Sequence, residues 1–413
     1  MQIANCRIRG LDGRYDVFYE DGKFTDIVPT GVKPSEEEVW QADGHMLMPP
    51  FVEPHIHLDC VLTAGKPHYN MSGTLFEGIS TWQEYKTTQP LIVEEIKERA
   101  MRAVRSMAGF GVQFIRTHVD VTEETFNGVE ALEELKKELR GTIEIQTVAF
   151  PQNGILSTKT GKQNMERALK AGMDCVGGIP HYEFTREYGI ESLRYVFDLA
   201  EKYGKYVDVH CDEMDDDASR FLETMATLAW ERNMGSRTVA AHTCAMGSYN
   251  DAYCTKLFRV LRESGIRINA CPCANLHLQG RIDSFPKRRG LTRIKELSDE
   301  GINICLGQDS IADPWYPMGV GNLLRVLDVG VHAAHMTGYD DLCHCLDFIS
   351  NNGARNLCIE DQYGIEVGKP ASFIILDAEN DYEALRELSP VLLSVHKGKT
   401  IAECCPAEAR IRF

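Results

Sequence analysis

The chain has 413 residues, too long for one simple core and normal for a barrel with an added module. With 43% apolar and 25% charged residues the composition is globular, which excludes a collagen-like or mostly disordered chain. Forty-four basic against 61 acidic residues leave a net charge of −17, the wrong sign for coating nucleic acid or an anionic membrane but no obstacle to an uncharged nucleobase.

Residues 1–45 read as short strands and turns, with hairpin-type pairs at Asp12-Gly13 and Asp21-Gly22 and alternating Tyr15, Val17 and Tyr19 between them. Met46–Val52 reads as the first of eight apolar strands. The others are Val112–Val119, Ile143–Phe150, Cys175–Pro180, Tyr206–His210, Thr238–His242, Ile266–Ala270 and Ile302–Leu306. Helical stretches separate most of them, such as Ile190–Lys202 and Ala252–Ser264. Another has Ile96, Ala100, Val104 and Met107 on one face, with Gly109 suited to its C-cap. Eight such units suit an α/β fold, a (β/α)8 TIM barrel, over residues 49–365. A doubly wound sheet is the competing architecture, and periodicity alone does not separate the two. Ala371–Leu376 and Pro390–Val395 read as strands, with Lys397-Gly398-Lys399 as a turn. Residues 1–48 with 366–413 are therefore expected to form a small β-sandwich domain from both termini.

Fourteen cysteines without a C-x-x-C pair read as free thiols, mostly buried, in a reducing compartment. The N-terminus lacks an apolar run, and no stretch reaches the roughly 20 apolar residues of a membrane helix, so no membrane partner and a cytoplasmic location are expected.

Chemistry concentrates where strands end. His55 and His57 follow the first apolar strand, and residues two apart in extended backbone point the same way, so both imidazoles can converge on one ion. H-x-H alone is a weak signal. His210, His242 and Asp309 also stand at strand ends, which in a barrel surround one pocket. Three imidazoles and one carboxylate from this group suit a divalent transition metal with a position left for water. Glu213, three residues past His210, can carry protons outside the ligand set, although by itself it reads as a solvated loop acid among Asp212, Asp215, Asp216 and Asp217.

Longer strings surround these residues. Pro50-Phe51-Val52-Glu53-Pro54-His55-Ile56-His57-Leu58-Asp59, Val209-His210-Cys211-Asp212-Glu213 and Asp313-Pro314-Trp315-Tyr316-Pro317 resemble the bacterial cytosine deaminases of the amidohydrolase superfamily. So do Phe184–Gly189 and His277–Arg281, and Gly364–Ala371 is similar to the superfamily's return into its small β domain. The resemblance implies one divalent metal ion per subunit, iron or zinc, held by His55, His57, His210 and Asp309. It implies that His242 hydrogen-bonds the attacking water, that Glu213 protonates the ring nitrogen beside the attacked carbon, and that Asp309 shuttles the water's proton. Gln152 would read the pyrimidine edge with its donor and acceptor, and Phe150, Trp315 and Leu75 would pack near the ring. His118 is expected in a supporting or structural role, and His181 and His277 as structural histidines. The family also implies a homo-oligomer with a small nucleobase as its partner and no nucleic acid.

One departure bears on specificity. In the family the metal-binding aspartate lies between a histidine and a second aspartate, whereas this chain has Gln308-Asp309-Ser310. Ser310 removes a charge beside the C5 side of the base, which makes room for 5-methylcytosine, whose product is thymine; one buried methyl is worth about 1 kcal/mol. The bland alternative has Ser310 holding a water, with cytosine the better substrate. Isocytosine, purine, triazine and pterin rings are the alternative substrates. A two-metal cyclic-amide hydrolase would carry a lysine on the fourth strand, and Asp174–His181 has none. The other zinc deaminase fold needs P-C-x-x-C, and Leu276 breaks that pattern.

Overall fold

The computed structural model describes residues 1–35, 38–406 and 410–412. The chain opens with β1 (Gln2–Ile8), β2 (Tyr15–Glu20) and β3 (Lys23–Pro29). β2 and β3 form the expected hairpin at Asp21-Gly22, whose φ values of 48° and 78° are the two left-handed positions of a type I′ turn. Two short strands follow, β4 (Val39–Gln41) and β5 (Met46–Met48). β1 pairs with β4 through Gln2–Ala4 and with β5 through Arg7 and Ile8, so one strand belongs to two sheets.

The expected strand Met46–Val52 is two strands. Pro49 and Pro50 have no N–H to continue a ladder, so β5 stays in the terminal sheet and a new strand, β6 (Phe51–Ile56), starts the barrel. β7 (Val112–Asp120), β8 (Glu144–Phe150), β9 (Cys175–Val176), β10 (Tyr206–Cys211), β11 (Thr238–His242), β12 (Arg267–Ala270) and β13 (Ile304–Leu306) follow. All are parallel and lie side by side in chain order, and a bridge from Ile56 to Asp309 joins the last to the first. That closure, without a reversal of strand order, makes a barrel and excludes the doubly wound sheet. β9 is shorter than expected. A side chain at Gly177 would meet the Ala149 carbonyl at 2.5 Å, and Pro180 opens a 3-10 turn.

Helix α1 (Leu75–Thr88) covers the mouth, and α2 (Val93–Gly109) buries Ile96, Ala100, Val104 and Met107 as their spacing predicts. The left-handed stop after α2 is Gly111, φ 85°, rather than Gly109. Strands β14 (Phe373–Leu376), β15 (Val391–His396) and β16 (Lys399–Glu403) complete the terminal layer, with β14 pairing antiparallel to β5. Ile3, Val17, Phe24, Leu47, Phe373 and Val395 fill its core. The Gln113 amide on β7 donates to the Phe373 carbonyl at 3.2 Å, Ser394 Oγ at 3.0 Å and the Val395 carbonyl at 2.9 Å, binding this layer to the barrel. All fourteen cysteines are unpaired, ten of them buried. Among the described residues, no helix is long and apolar enough to cross a membrane.

Candidate active site

The carboxyl ends of the barrel strands bring His55, His57, His210, His242 and Asp309 together. His57 Nε2 and His210 Nε2 lie 3.1 Å apart, and Asp309 Oδ1 is 3.6 Å from Nε2 of both His55 and His57. A register shift in β6 between Glu53 and Ile56 accompanies the H-x-H turn toward the axis. Asp309 and His242 both adopt left-handed backbone, each with φ 67°, as does the adjoining Thr243 at 47°. Such conformations cost non-glycine residues free energy and persist where surrounding structure holds them. Asp309 is held by its own N–H, which donates to the His55 carbonyl at 2.8 Å.

Burial and neighbouring imidazoles push His55, His57 and His210 well below the usual histidine range, so each ring is a neutral donor of a lone pair. Both His55 nitrogens and His210 Nδ1 are buried without a hydrogen-bond partner among the described residues. Buried polar atoms in that state call for an ion or water. His55, His57 and His210 form one group of ligand atoms within 4.8 Å of one another, and Asp309 stands 3.6 Å from two of them, a donor set that fits a divalent metal. A second grouping, His55, His118 and Asp208, lies one layer deeper. There Arg116 already pairs with Asp208 at 2.9 Å, so a cation would face a guanidinium. Cys271 also lies near His55, His242 and Asp309, but burial pushes its thiol well up and keeps it protonated.

His242 is tuned differently. The Cys271 N–H donates to Asn275 Oδ1 at 3.3 Å, which orients the Asn275 amide N–H toward His242 Nδ1 at 3.1 Å. Nδ1 therefore accepts and the ring proton sits on Nε2, which has no partner among the described residues. Burial brings His242 down to about 3, so it is neutral. Glu213 lies 3.6 Å from this ring, and burial, with Asp309 nearby, raises its carboxyl well above the usual range.

A small pocket opens beside these groups. His57, His210, Glu213, Asp309, Gln152, Phe150, Ser310, Trp315 and Leu75 line it, together with Ile79, Ile179 and Leu278. None of the lining residues is Lys or Arg. Phe150 also stacks on His210, with centroids 4.1 Å apart, and Trp315 lies parallel to His57 at 6.4 Å. Asp313 steadies that wall by accepting the N–H groups of Trp315 and Tyr316, each at 2.9 Å. His118 sits beneath the site, 3.3 Å from Asp208. His277 accepts from Arg281 outside the ligand cluster, and His181 takes part in no metal-competent grouping among the described residues. Asn275, Arg116 and Glu53 went unread in the sequence, since a lone buried Asn, Arg or Glu carries no spacing signal.

A closed parallel barrel with imidazoles and carboxylates gathered at one mouth is the architecture of a barrel hydrolase. The profile of the amidohydrolase family matches residues 69–402, and the chain belongs to that family. A solved structure of 5-methylcytosine deaminase from Klebsiella pneumoniae, liganded with 5-fluorocytosine, is 50% identical over 100% of this chain and 99% of that one, with a TM-score of 0.97. A second structure of that enzyme, liganded with phosphonocytosine, has a TM-score of 0.96 at the same identity over the whole of both chains. N-isopropylammelide isopropyl amidohydrolase from Pseudomonas sp. (strain ADP) is 26% identical over 97% of this chain and 96% of its own. The resemblance to cytosine deaminases is thus borne out, and the chain is an enzyme, a hydrolase.

Proposed function

We propose that the chain hydrolyses the exocyclic amine of a free cytosine-type base, accepting 5-methylcytosine, to give the 4-oxo pyrimidine and ammonia. The observation that carries this is the pocket: no Lys or Arg lines it to meet a phosphate, and the buried Glu213 carboxyl and a metal-competent cluster flank it. The likeness to the Klebsiella enzyme supports the pyrimidine class.

His55, His57, His210 and Asp309 would hold one divalent ion, iron or zinc. When bound, such an ion lowers the pKa of its water toward neutrality and so supplies a nucleophile. Asp309 takes the proton that the water loses. Glu213 gives its proton to N3, relieving the charge that addition at C4 builds on the ring. His242, neutral with Nε2–H free, donates to the oxygen that joins C4. Asp309 returns its proton to the amine, the Glu213 carboxylate takes the proton of the C4 hydroxyl as the C4=O bond forms and the C4–N bond breaks, ammonia leaves, and N3 keeps the proton it first received from Glu213. Gln152 matches the donor and acceptor edge of the base, with Phe150, Trp315 and Leu75 against its faces. Ser310, buried and uncharged, leaves room beside C5.

In this reading residues 49–365 form the catalytic domain and residues 1–48 with 366–413 the small β-sandwich domain, supported by the proline break at 49–50. Fourteen unpaired cysteines support a cytoplasmic, reducing location. Nearly full exposure of Ile282 at 94% and Phe285 at 89% on a mouth loop supports a homo-oligomer. The net charge supports a small base rather than nucleic acid as the ligand.

The test is ammonia release from metal-reconstituted enzyme, with cytosine and 5-methylcytosine side by side. Comparable or higher kcat/KM on 5-methylcytosine is expected. Activity on cytosine alone would refute the Ser310 argument. Silence on both, with turnover of an aminotriazine, would move the enzyme to another ring class.

A further inference from the structure

The barrel closes on very little backbone. β12 and β13 pair through three successive residues, Ile268–Ile304, Asn269–Cys305 and Ala270–Leu306. Between β13 and β6 the described residues provide one bridge, Ile56 to Asp309. It consists of Asp309 N–H donating to the His55 carbonyl at 2.8 Å and His57 N–H donating to the Asp309 carbonyl at 3.1 Å. Past the strand ends, Leu62 N–H donates to the Ile311 carbonyl at 2.9 Å and Ala64 N–H to the Ala312 carbonyl at 2.8 Å, but three of the four proposed ligands, His55, His57 and Asp309, hang on the single bridge between β13 and β6.

One level below, where a ladder would continue, a side chain takes its place. Glu53 Oε1 accepts the His55 N–H at 2.9 Å and the Gln308 N–H at 3.1 Å, and Oε2 accepts the Gln308 N–H at 3.0 Å. The carboxyl is fully buried, has no ion-pair partner among the described residues, and does not line the cavity. Gly307 makes room for it: a Cβ there would stand 2.9 Å from Glu53 Oε1 and 3.2 Å from His55 Cβ.

We infer that Glu53 is a positioning residue, a clasp across the barrel seam that sets the separation of His55 and His57 from Asp309 and thereby the retention of the metal. It touches neither substrate nor reacting atoms; it acts through the backbone of the ligands. Outer partners of metal ligands commonly change affinity or activity about 10–100-fold when removed. The inference rests on the ligand set proposed above.

The experiment compares wild type with Glu53→Leu, Glu53→Gln and Gly307→Ala, each reconstituted with zinc. It measures metal stoichiometry, the rate at which a chelator strips the ion, kcat and KM for cytosine and 5-methylcytosine, and Tm of the apo forms. Glu53→Leu keeps the bulk and loses both acceptors. It is expected to release zinc about 10–100-fold faster and to lower kcat while KM stays within about twofold. Glu53→Gln retains one oxygen able to accept both N–H groups and restores most of the retention. Gly307→Ala crowds the carboxyl without removing it and shows a weaker form of the same signature. A structural filler would lower apo Tm and leave the stripping rate alone. Wild-type stripping rates in folded Glu53→Leu and Gly307→Ala overturn the inference. If Glu53→Leu does not fold, a wild-type rate in Gly307→Ala alone does so. A wild type that binds no zinc would instead overturn the ligand set.

Discussion

Gly78 lies in the first turns of α1, and a methyl there would stand 2.6 Å from Cδ1 and 2.8 Å from Nε1 of Trp315. Ordinary carbon contacts are about 3.5–4.0 Å, so Gly78→Ala requires the indole to retreat by about 1 Å. The helix cannot yield instead. Trp82 Nε1 donates to Asp120 Oδ2 at 3.0 Å, and the buried Lys86 ammonium pairs with the same carboxylate at 2.5 Å. Two effects on stability oppose each other. Alanine in a helix interior gains about 1 kcal/mol over glycine, and overpacking costs about 1–3 kcal/mol. Tm should therefore change by only a few degrees. Trp315 walls the cavity, and a shift of about 1 Å in a positioning group can cost about 100-fold. The expected result is a kcat/KM for the pyrimidine reduced about 10–100-fold in a protein of nearly normal Tm, read by steady-state ammonia release. Kinetics within twofold of wild type would refute Trp315 as a substrate wall.

Other substitutions test separate parts of the site. Glu213→Gln removes the proposed proton donor and should lower kcat about 10²–10⁴-fold with metal content unchanged; a smaller loss would reassign that proton. Ser310→Asp should reduce the preference for 5-methylcytosine over cytosine at least about threefold, the worth of one buried methylene, and an unchanged kcat/KM ratio would sink the Ser310 argument. Glu144, hydrogen-bonded by His396 and paired with Lys397, is brought down to about 2. Its folded value lies below the ordinary 4.5, so it stabilises the fold above about 4.5, and that contribution fades as pH falls toward 2. Urea midpoints of wild type and Glu144→Gln should differ at pH 6 and converge between pH 4.5 and 2. A gap that stays constant down to pH 3 would contradict this.

The candidate site was legible because its residues sit in short strings at strand ends, where apolar runs stop at or just before His55, His210, His242 and Asp309. The supports were not. Glu53 meets Gln308, and Arg116 meets Asp208, only when the strands assemble, and the layer each joins depends on how neighbouring strands are staggered. Asn275 sets the His242 tautomer from another segment, Pro272–Leu278, with no spacing that links the two. Met46–Val52 read as one strand because apolar periodicity overrode the two prolines inside it. Gly109 suits a helix stop because it follows Met107, the last residue of the apolar face, while the tight approach of Gly111 to Val391 and Ile374 comes from the terminal sheet.

The seam also orders events during synthesis. Glu53 and Gln308 are 255 residues apart in the chain. At about 5–20 residues per second, the early histidines would wait roughly 10–50 seconds on the ribosome before the aspartate emerges. In that interval only half of the proposed ligand set exists. Firm uptake of the ion belongs to the finished chain, after its eighth strand has docked beside its first. A tightly held metal is then a certificate of completion, one that stalled or truncated chains fail to earn.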